Sequence, residues 1–249
     1  MSTLAEKKVF KTPDCLTDNI FHFCPGCHHG LVHRLAGEAI DEFGLAEKAV
    51  GVIGVGCGVL LYDYIAVDCC EAPHGRAPAV ASGIKRTRPD TFVFTYQGDG
   101  DLAAIGTSEI IHAANRQENI TVIFVNNSVY GMTGGQMAPT TLPGQKTTTT
   151  PAGRVSAGDG YPINMAELIA TLKGTVFSAR VSCHDNAHIR KARKAMKRAF
   201  QAQVENRGFA MIELLSACPT NWHLTPDRSK ERIINEMIPA FPLGTFKDF

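Results

Sequence analysis

The sequence predicts an α/β protein built on a doubly wound, mainly parallel sheet, and three observations predict it. β-favouring runs alternate along the chain with segments of helical spacing, the pattern of repeated strand–helix–strand units. The clearest run, 91–95, is unbroken, as in a strand covered on both faces. Polar or glycine-rich turns follow these runs at their carboxyl ends, where open α/β sheets bind ligands.

The elements follow in chain order. Residues 1–22 read as an irregular arm docked on a partner. A tight Cys-Pro-Gly-Cys knuckle, Cys24 to Cys27, comes next, and Leu31, Leu35, Ala39 and Phe43 then recur at helical spacing until Gly44 ends the helix. A strand over 49–55 runs into Gly56, Cys57 and Gly58. The small, apolar stretch 77–87 suits a buried helix, and the strand 91–95 leads through Gly98, Asp99, Gly100 and Asp101 into a helix over 102–117. A second apolar strand, 120–125, ends directly in Asn126 and Asn127. A glycine-containing stretch with Tyr130, Gly131, Met132 and Thr133 opens a polar loop that reaches about residue 160. The rest reads as a helix over 162–173, a strand over 174–179, a basic amphipathic helix over 189–200 and a strand over 210–215 leading to Cys218. With no internal repeat and no linker, one domain, 23–220, is expected between the arm and a tail, 221–249.

Composition narrows the class. With 249 residues, a net charge of +1, 44% hydrophobic and 20% charged residues, the chain is long enough for one large α/β domain and has no field suited to nucleic acid. Residues 1–13 carry Glu6, Lys7, Lys8 and Lys11 and do not form a secretory signal, and no run is long enough for a membrane span. A cytoplasmic protein is therefore expected. Eight cysteines in such a chain point to metal or redox chemistry rather than to disulfides.

The chemistry concentrates at two strand tips. Two glycines around Asp99 let a ligand approach the backbone while the acid supplies a hard oxygen, and Asn127 on the next tip supplies a neutral one, a set suited to magnesium that also grips a phosphate. Each turn alone is an ordinary polar cap on a strand; together they form a site. Backbone N–H groups around Gly131 suit a diphosphate. Cys24, Cys27, Cys57 and Cys218 each lie at a knuckle or past a strand end, and four such thiolates can hold zinc or a [4Fe–4S] cluster. Spacing does not choose between them. Cys69 and Cys70 read as packing residues, and His74, by residue type, as a loop histidine.

Gly-Asp-Gly followed by Asn-Asn after a helix and a strand resembles the signature of thiamine-diphosphate enzymes. The resemblance sharpens over residues 20 to 220. Cys-Pro-Gly-Cys at 24–27, Gly-Cys at 56–57, His-Gly-Arg-Ala at 74–77, Gly-Asp-Gly-Asp at 98–101, Tyr-Gly-Met-Thr-Gly-Gly-Gln at 130–136 and Cys-Pro at 218–219 occur in the order found in β subunits of 2-oxoacid:ferredoxin oxidoreductases. Tyr-Gln before the Gly-Asp-Gly-Asp run, Pro-Thr-Asn-Trp at 219–222 and Phe-Pro-Leu-Gly-Thr-Phe at 241–246 look most like the branched-chain, 2-oxoisovalerate type. His28 and Gly58 depart from that family, which usually has Gly and often Ser at these positions.

The resemblance implies a thiamine-diphosphate-binding fold, the diphosphate-binding domain of the enzyme. It implies coenzyme A-dependent oxidative decarboxylation of a 2-oxoacid, with electrons passing singly through a [4Fe–4S] cluster to ferredoxin. Asp99, Asn127 and the Val129 carbonyl would hold Mg2+. Gly98, Gly100, Asp101, Gly131, Met132 and Thr133 would line the diphosphate. Val55, Gly56, Cys57, Gly58 and His74 would lie by the cofactor rings, with His74 and Cys57 nearest the chemistry, and Cys24, Cys27, Cys57 and Cys218 would hold the cluster. An α subunit would bring the pyrimidine-binding domain, and γ or δ subunits the ferredoxin-like clusters. Three other readings share parts of the pattern: a family member preferring 2-oxoglutarate or pyruvate, a non-redox thiamine-dependent lyase, and a zinc-stabilised non-catalytic subunit.

Overall fold

The computed structural model describes residues 11–249. Its seven strands form one sheet in the order β2-β1-β3-β4-β6-β5-β7, parallel throughout except where β7 runs against β5. The first helix, α1 (His29–Glu42), buries Val32, Leu35, Ala36, Ala39 and Ile40 along one face and ends beside Gly44, which adopts positive φ. Strand β1 (Ala49–Ile53) lies between β2 (Asp68–Glu71) and β3 (Phe92–Gly98), with helix α2 (Ala77–Thr87) crossing back from β2 to β3. The chain thus steps to one side of β1 and returns on the other, which makes the β1–β3 gap the switch point where a ligand crevice forms.

The expected helix over 102–117 is two pieces. A π-helical turn, Gly100–Ile105, precedes α3 (Thr107–Asn115), and Gly106 separates them. A Cβ at Gly106 would stand 2.6 Å from the carbonyl oxygens of both Gly75 and Asp101, so close packing against the loop before α2 requires glycine there. Strand β4 (Thr121–Asn126) is buried along its whole length. After a long loop holding the short turn α4 (Ser156–Asp159), helix α5 (Met165–Ala170), strand β5 (Thr175–Ser182), helix α6 (Asn186–Val204) and strand β6 (Phe209–Leu215) complete the parallel set. The 162–173 helix is therefore shorter than its sequence suggests, and the 189–200 helix longer at both ends.

Apolar side chains fill both faces of the sheet. Beyond β6, α7 (Pro219–Trp222), α8 (Pro226–Arg232) and β7 (Gly244–Lys247) belong to the same body: Trp222, Ile233, Met237 and Phe241 form a third buried cluster with Leu215 and Val129. Residues 1–10 of the expected arm lie outside the described residues. From residue 11 the arm folds on its own chain, with Leu16 bridging Ile65 and Phe21 stacking on Tyr64 at 4.4 Å. Among the described residues no helix is long and apolar enough to cross a membrane.

Candidate active site

Parallel register places the two tips together. Gly98 of β3 pairs with Val125 of β4, so Asp99 leaves the sheet beside Asn126 and Asn127. Asp99 is buried and accepts hydrogen bonds from Gly100 N at 3.0 Å, Val129 N at 3.1 Å and Thr140 Oγ1 at 2.9 Å. Burial nevertheless pushes its carboxyl up to about 7, against the pull of those donors. A divalent cation set against it would supply the charge compensation that the hydrogen bonds do not, so the residues present fit magnesium. Asn127 faces the same space, with its backbone oxygen held by Trp222 Nε1 at 3.1 Å.

The β4 tip is anchored from behind. Asn126 Nδ2 donates to Glu213 Oε1 at 2.8 Å, and Glu213 Oε2 stands 2.9 Å from Arg180 Nε. Both charged side chains are fully buried, and Arg180 also donates to the Pro242 oxygen at 3.0 Å. The segment after β6 thus helps to fix the asparagine pair.

Asp101 is a junction. Its Oδ1 accepts from Val55 N at 3.1 Å, Gly75 N at 2.8 Å and His74 Nδ1 at 2.6 Å, and its Oδ2 accepts from Gln97 Nε2 at 2.5 Å. One buried carboxylate therefore ties together the loops after β1, before α2 and after β3. An ionised carboxylate only accepts, so His74 Nδ1 carries the hydrogen and Nε2 is left to act on a bound molecule.

These loops enclose one cavity over the switch point. Val55, Gly56, Cys57 and Gly58 line it from β1, Gly98 to Asp101 from β3, and Asn127, Gly131, Met132 and Thr133 from β4, with His74 at one side. Val129 lies behind this wall and meets Asp99 through its N–H. Sequence reasoning missed His29, whose Nδ1 lies 2.6 Å from the Tyr96 hydroxyl, as well as Ile105 and Tyr130, all of which line the cavity. Burial pushes His29 down to about 4, which keeps its ring neutral. Its place in the Cys-Pro-Gly-Cys-His-His run was the available signal.

The four knuckle and strand-end cysteines gather at this edge. An ideal Cβ at Gly131 would lie 3.4 Å from Cys57 Sγ, 3.6 Å from Cys218 Sγ and 3.7 Å from Asn127 Nδ2, so the two sulfurs adjoin the asparagine tip. Cys27 feels the charges of Cys218, Cys57 and Cys24. Burial, then these neighbours, pushes Cys27 up to about 12 and Cys57 to about 11, and burial raises Cys218 as well. Cys27, Cys57 and Cys218 are thus buried thiols that a cationic centre would deprotonate on binding. Cys69 and Cys70 depart from the packing expected of them: they sit on the edge strand β2, Cys69 exposed and Cys70 half-buried, because that short strand has a neighbour on one side only.

Residues 61–214 match the family model described as thiamine pyrophosphate enzyme, C-terminal TPP binding domain. A ketoisovalerate oxidoreductase subunit, VorA, of Methanothermobacter thermautotrophicus is 48% identical over 252 residues, covering 97% of this chain and 53% of that protein. The VorA subunit of Methanothermobacter marburgensis is 47% identical, also with 53% of its length covered. The chain thus spans about half the length of these two relatives. A 2-oxoglutarate synthase subunit, KorB, of Methanocaldococcus jannaschii is 39% identical over 202 residues, covering 80% of this chain and 69% of that protein.

The chain belongs to the 2-oxoacid:ferredoxin oxidoreductase subunits that carry the thiamine pyrophosphate binding domain. A solved 2-oxoglutarate:ferredoxin oxidoreductase from Magnetococcus marinus, with 2-oxoglutarate, coenzyme A and succinyl-CoA bound, superposes on 98% of this chain and 87% of its own, with a TM-score of 0.79 and 25% identity. Cys24, Cys27, Cys57 and Cys218 all fall outside the matched span, 61–214. The departure at Gly58 has a steric reason, since a Cβ there would meet the Tyr96 ring at 3.0 Å. His28 is buried, and burial pushes it down to about 4.

Proposed function

We propose that the chain is the thiamine-diphosphate- and cluster-binding subunit of an oxidoreductase that decarboxylates a branched-chain 2-oxoacid such as 2-oxoisovalerate. The products are an acyl-CoA, carbon dioxide and reduced ferredoxin. One observation carries the reading: Cys57 and Cys218 flank Gly131 at the wall of the same cavity into which Asp99 and Asn127 face. A site for decarboxylation and a site for electron removal therefore share a wall, which a lyase has no use for. The identities to two ketoisovalerate oxidoreductase subunits, 48% and 47%, favour a branched substrate over 2-oxoglutarate or pyruvate.

When bound, thiamine diphosphate supplies the carbon nucleophile and electron sink, and a [4Fe–4S] cluster takes electrons one at a time. Asp99, Asn127 and the Val129 carbonyl would hold magnesium, and Gly98, Gly100, Gly131, Met132 and Thr133 would face the diphosphate. Asp101 holds the walls of the cavity in register. His74, oriented by Asp101, moves protons through Nε2.

The reaction favours a cluster over zinc, because its electrons must be drained by a redox centre and zinc has no redox chemistry. An α subunit with the pyrimidine-binding domain and γ or δ subunits with ferredoxin-like clusters complete the enzyme, and the cytoplasm is its setting.

The test is anaerobic purification of the chain with its partner subunits, followed by 2-oxoisovalerate, thiamine diphosphate and Mg2+. The expected result is a brown protein that bleaches and develops a reduced-cluster signal in electron paramagnetic resonance. A colourless protein with stoichiometric zinc would overturn the reading.

A further inference from the structure

We infer that His184, Asp185 and His188 form a second metal site, one that takes a divalent transition ion of zinc-like preference. It stands apart from the thiamine cavity, and nothing in it depends on that cofactor. His184 follows the end of β5, Asp185 is the N-cap of α6, and His188 lies on the first turn of that helix. Asp185 sits between the two imidazoles: His184 Nε2 is 3.3 Å from Asp185 Oδ2, and His188 Nδ1 is 2.8 Å from Asp185 Oδ1. The ligand atoms all lie within 4.8 Å of one another, and the two rings have centroids 4.1 Å apart.

The ligand at the strand end is already oriented. His184 is largely buried, and its Nδ1 lies 2.6 Å from Ser182 Oγ, also buried. With Nδ1 engaged by the hydroxyl, Nε2 is the nitrogen turned to Asp185 and to an ion. A hydrogen bond of this kind behind a ligating imidazole fixes its tautomer and direction in metal sites generally. Asp185 has capacity to spare: Oδ1 caps the helix by accepting from His188 N at 2.7 Å, and Oδ2 remains for a metal.

Ligand chemistry selects the ion. Two imidazoles and one carboxylate suit zinc and its neighbours, whereas calcium and magnesium prefer an all-oxygen shell. The groove beside His188 also carries Lys191, Lys194 and Arg198, so an ion here is held by coordination to the imidazoles rather than by a negative field. Three ligands leave a position for water. An ion here would clip the end of β5 to the start of α6. That point is on the cluster's edge of the sheet, since Ser182 is in register with Leu215, three residues before Cys218.

The test uses the full chain with its iron–sulfur content retained, washed with a mild chelator and titrated with Co2+, then with Zn2+ as competitor. Wild type should take up one equivalent of Co2+ with the visible bands of nitrogen and oxygen ligation, displaced by Zn2+. Asp185→Asn keeps a good N-cap but loses the carboxylate, and His188→Gln keeps a helix-compatible side chain. Each should lower the affinity at least about tenfold with unchanged circular dichroism, and Ser182→Ala should lower it by about 10-fold as a lost orienting partner. Absence of Co2+ uptake by wild type, superimposable titrations of wild type and both ligand variants, or spectra showing thiolate ligation would each overturn the site and leave Asp185 a helix cap.

Discussion

His74 and Asp101 meet through a 2.6 Å contact whose two ends differ in setting: the carboxylate is fully buried, while the imidazole is 39% exposed at the cavity wall. An acid already satisfied by three other donors fixes the ring and its hydrogen, and the exposed face is free for substrate.

The His74→Gln variant should therefore fold and bind thiamine diphosphate within about threefold of wild type, because the ring carries no core packing. Turnover of the assembled enzyme should drop by about 10²-fold or more, the usual contribution of a positioned acid–base group. Steady-state kinetics beside calorimetric cofactor titration checks this. Unchanged kcat would remove His74 from the chemistry.

How far such features can be read from sequence depends on whether neighbours in the chain determine them. The inner parallel strands were legible because burial on both faces demands unbroken apolar runs such as 120–125. Strand β2 was not, since Asp68, Cys69, Cys70 and Glu71 form a half-solvated edge with no such pattern. Strand β7 was hidden for a similar reason, pairing only at the antiparallel margin of the sheet. The break at Gly106 follows from contact with Gly75, about thirty residues earlier, and no helical periodicity reports it. At the site, Asp99 and Asn127 were legible as a pair, because an acid and an amide at successive strand tips say together what neither ordinary polar cap says alone. The part Asp101 plays as a junction was not, because its partners come from three separate loops.

Cysteine substitutions divide by location. Changing Cys24, Cys27, Cys57 or Cys218 singly to Ser should lower iron content well below that of wild type. The same change at Cys15, Cys69, Cys70 or Cys183 should not, since Cys15 donates to the Gly37 oxygen beneath α1, Cys69 and Cys70 lie on β2, and Cys183 is packed in the core. Iron analysis of all eight variants decides the ligand set. Equal loss from the Cys69 variant would show it to be wrong.

Arg180→Leu should be among the most destabilising single changes in the chain. It leaves Glu213 buried without its partner and frees the Pro242 oxygen, and breaking one side of a buried pair costs roughly 3–5 kcal/mol. Urea denaturation measures this. The double variant Arg180→Leu, Glu213→Leu should recover part of the loss while weakening magnesium-dependent cofactor binding, because Asn126 loses its anchor.

His33 gives a pH dependence. It is fully buried among Phe21, Phe23, Tyr64 and Tyr96, neither ring nitrogen has a hydrogen-bond partner among the described residues, and burial holds its pKa well below 6.5. Between that depressed value and 6.5 the unfolded chain binds the proton and the folded chain does not, so this group makes stability fall as pH falls below 6.5. Thermal melts at pH 7.5 and pH 5.5 should show a smaller loss in His33→Phe than in wild type. Equal losses would mean that the histidine is solvated in the native protein.

The isolated chain should bind but not turn over. Asp99, Asn127 and the glycine turns proposed to hold the diphosphate face one cavity, and among the described residues the single sheet offers no second wall for the aminopyrimidine. Ile105 and Met132, both lining that cavity, are 49% and 48% exposed, as expected of apolar residues that a partner covers. Catalysis needs positioning as well as binding, and a half-built site forfeits orientation worth on the order of 7–11 kcal/mol in favourable cases. Calorimetry should detect magnesium-dependent binding of thiamine diphosphate to the chain alone, while decarboxylation of 2-oxoisovalerate with a dye acceptor should require the purified partner. Replacing Ile105, which has no part in holding the diphosphate, with Glu should weaken recovery of activity by the partner more than it weakens cofactor binding, because the charge falls where apolar contact is needed. Turnover by the chain alone, with contaminating partner excluded by mass spectrometry, would place the whole active site within these 249 residues.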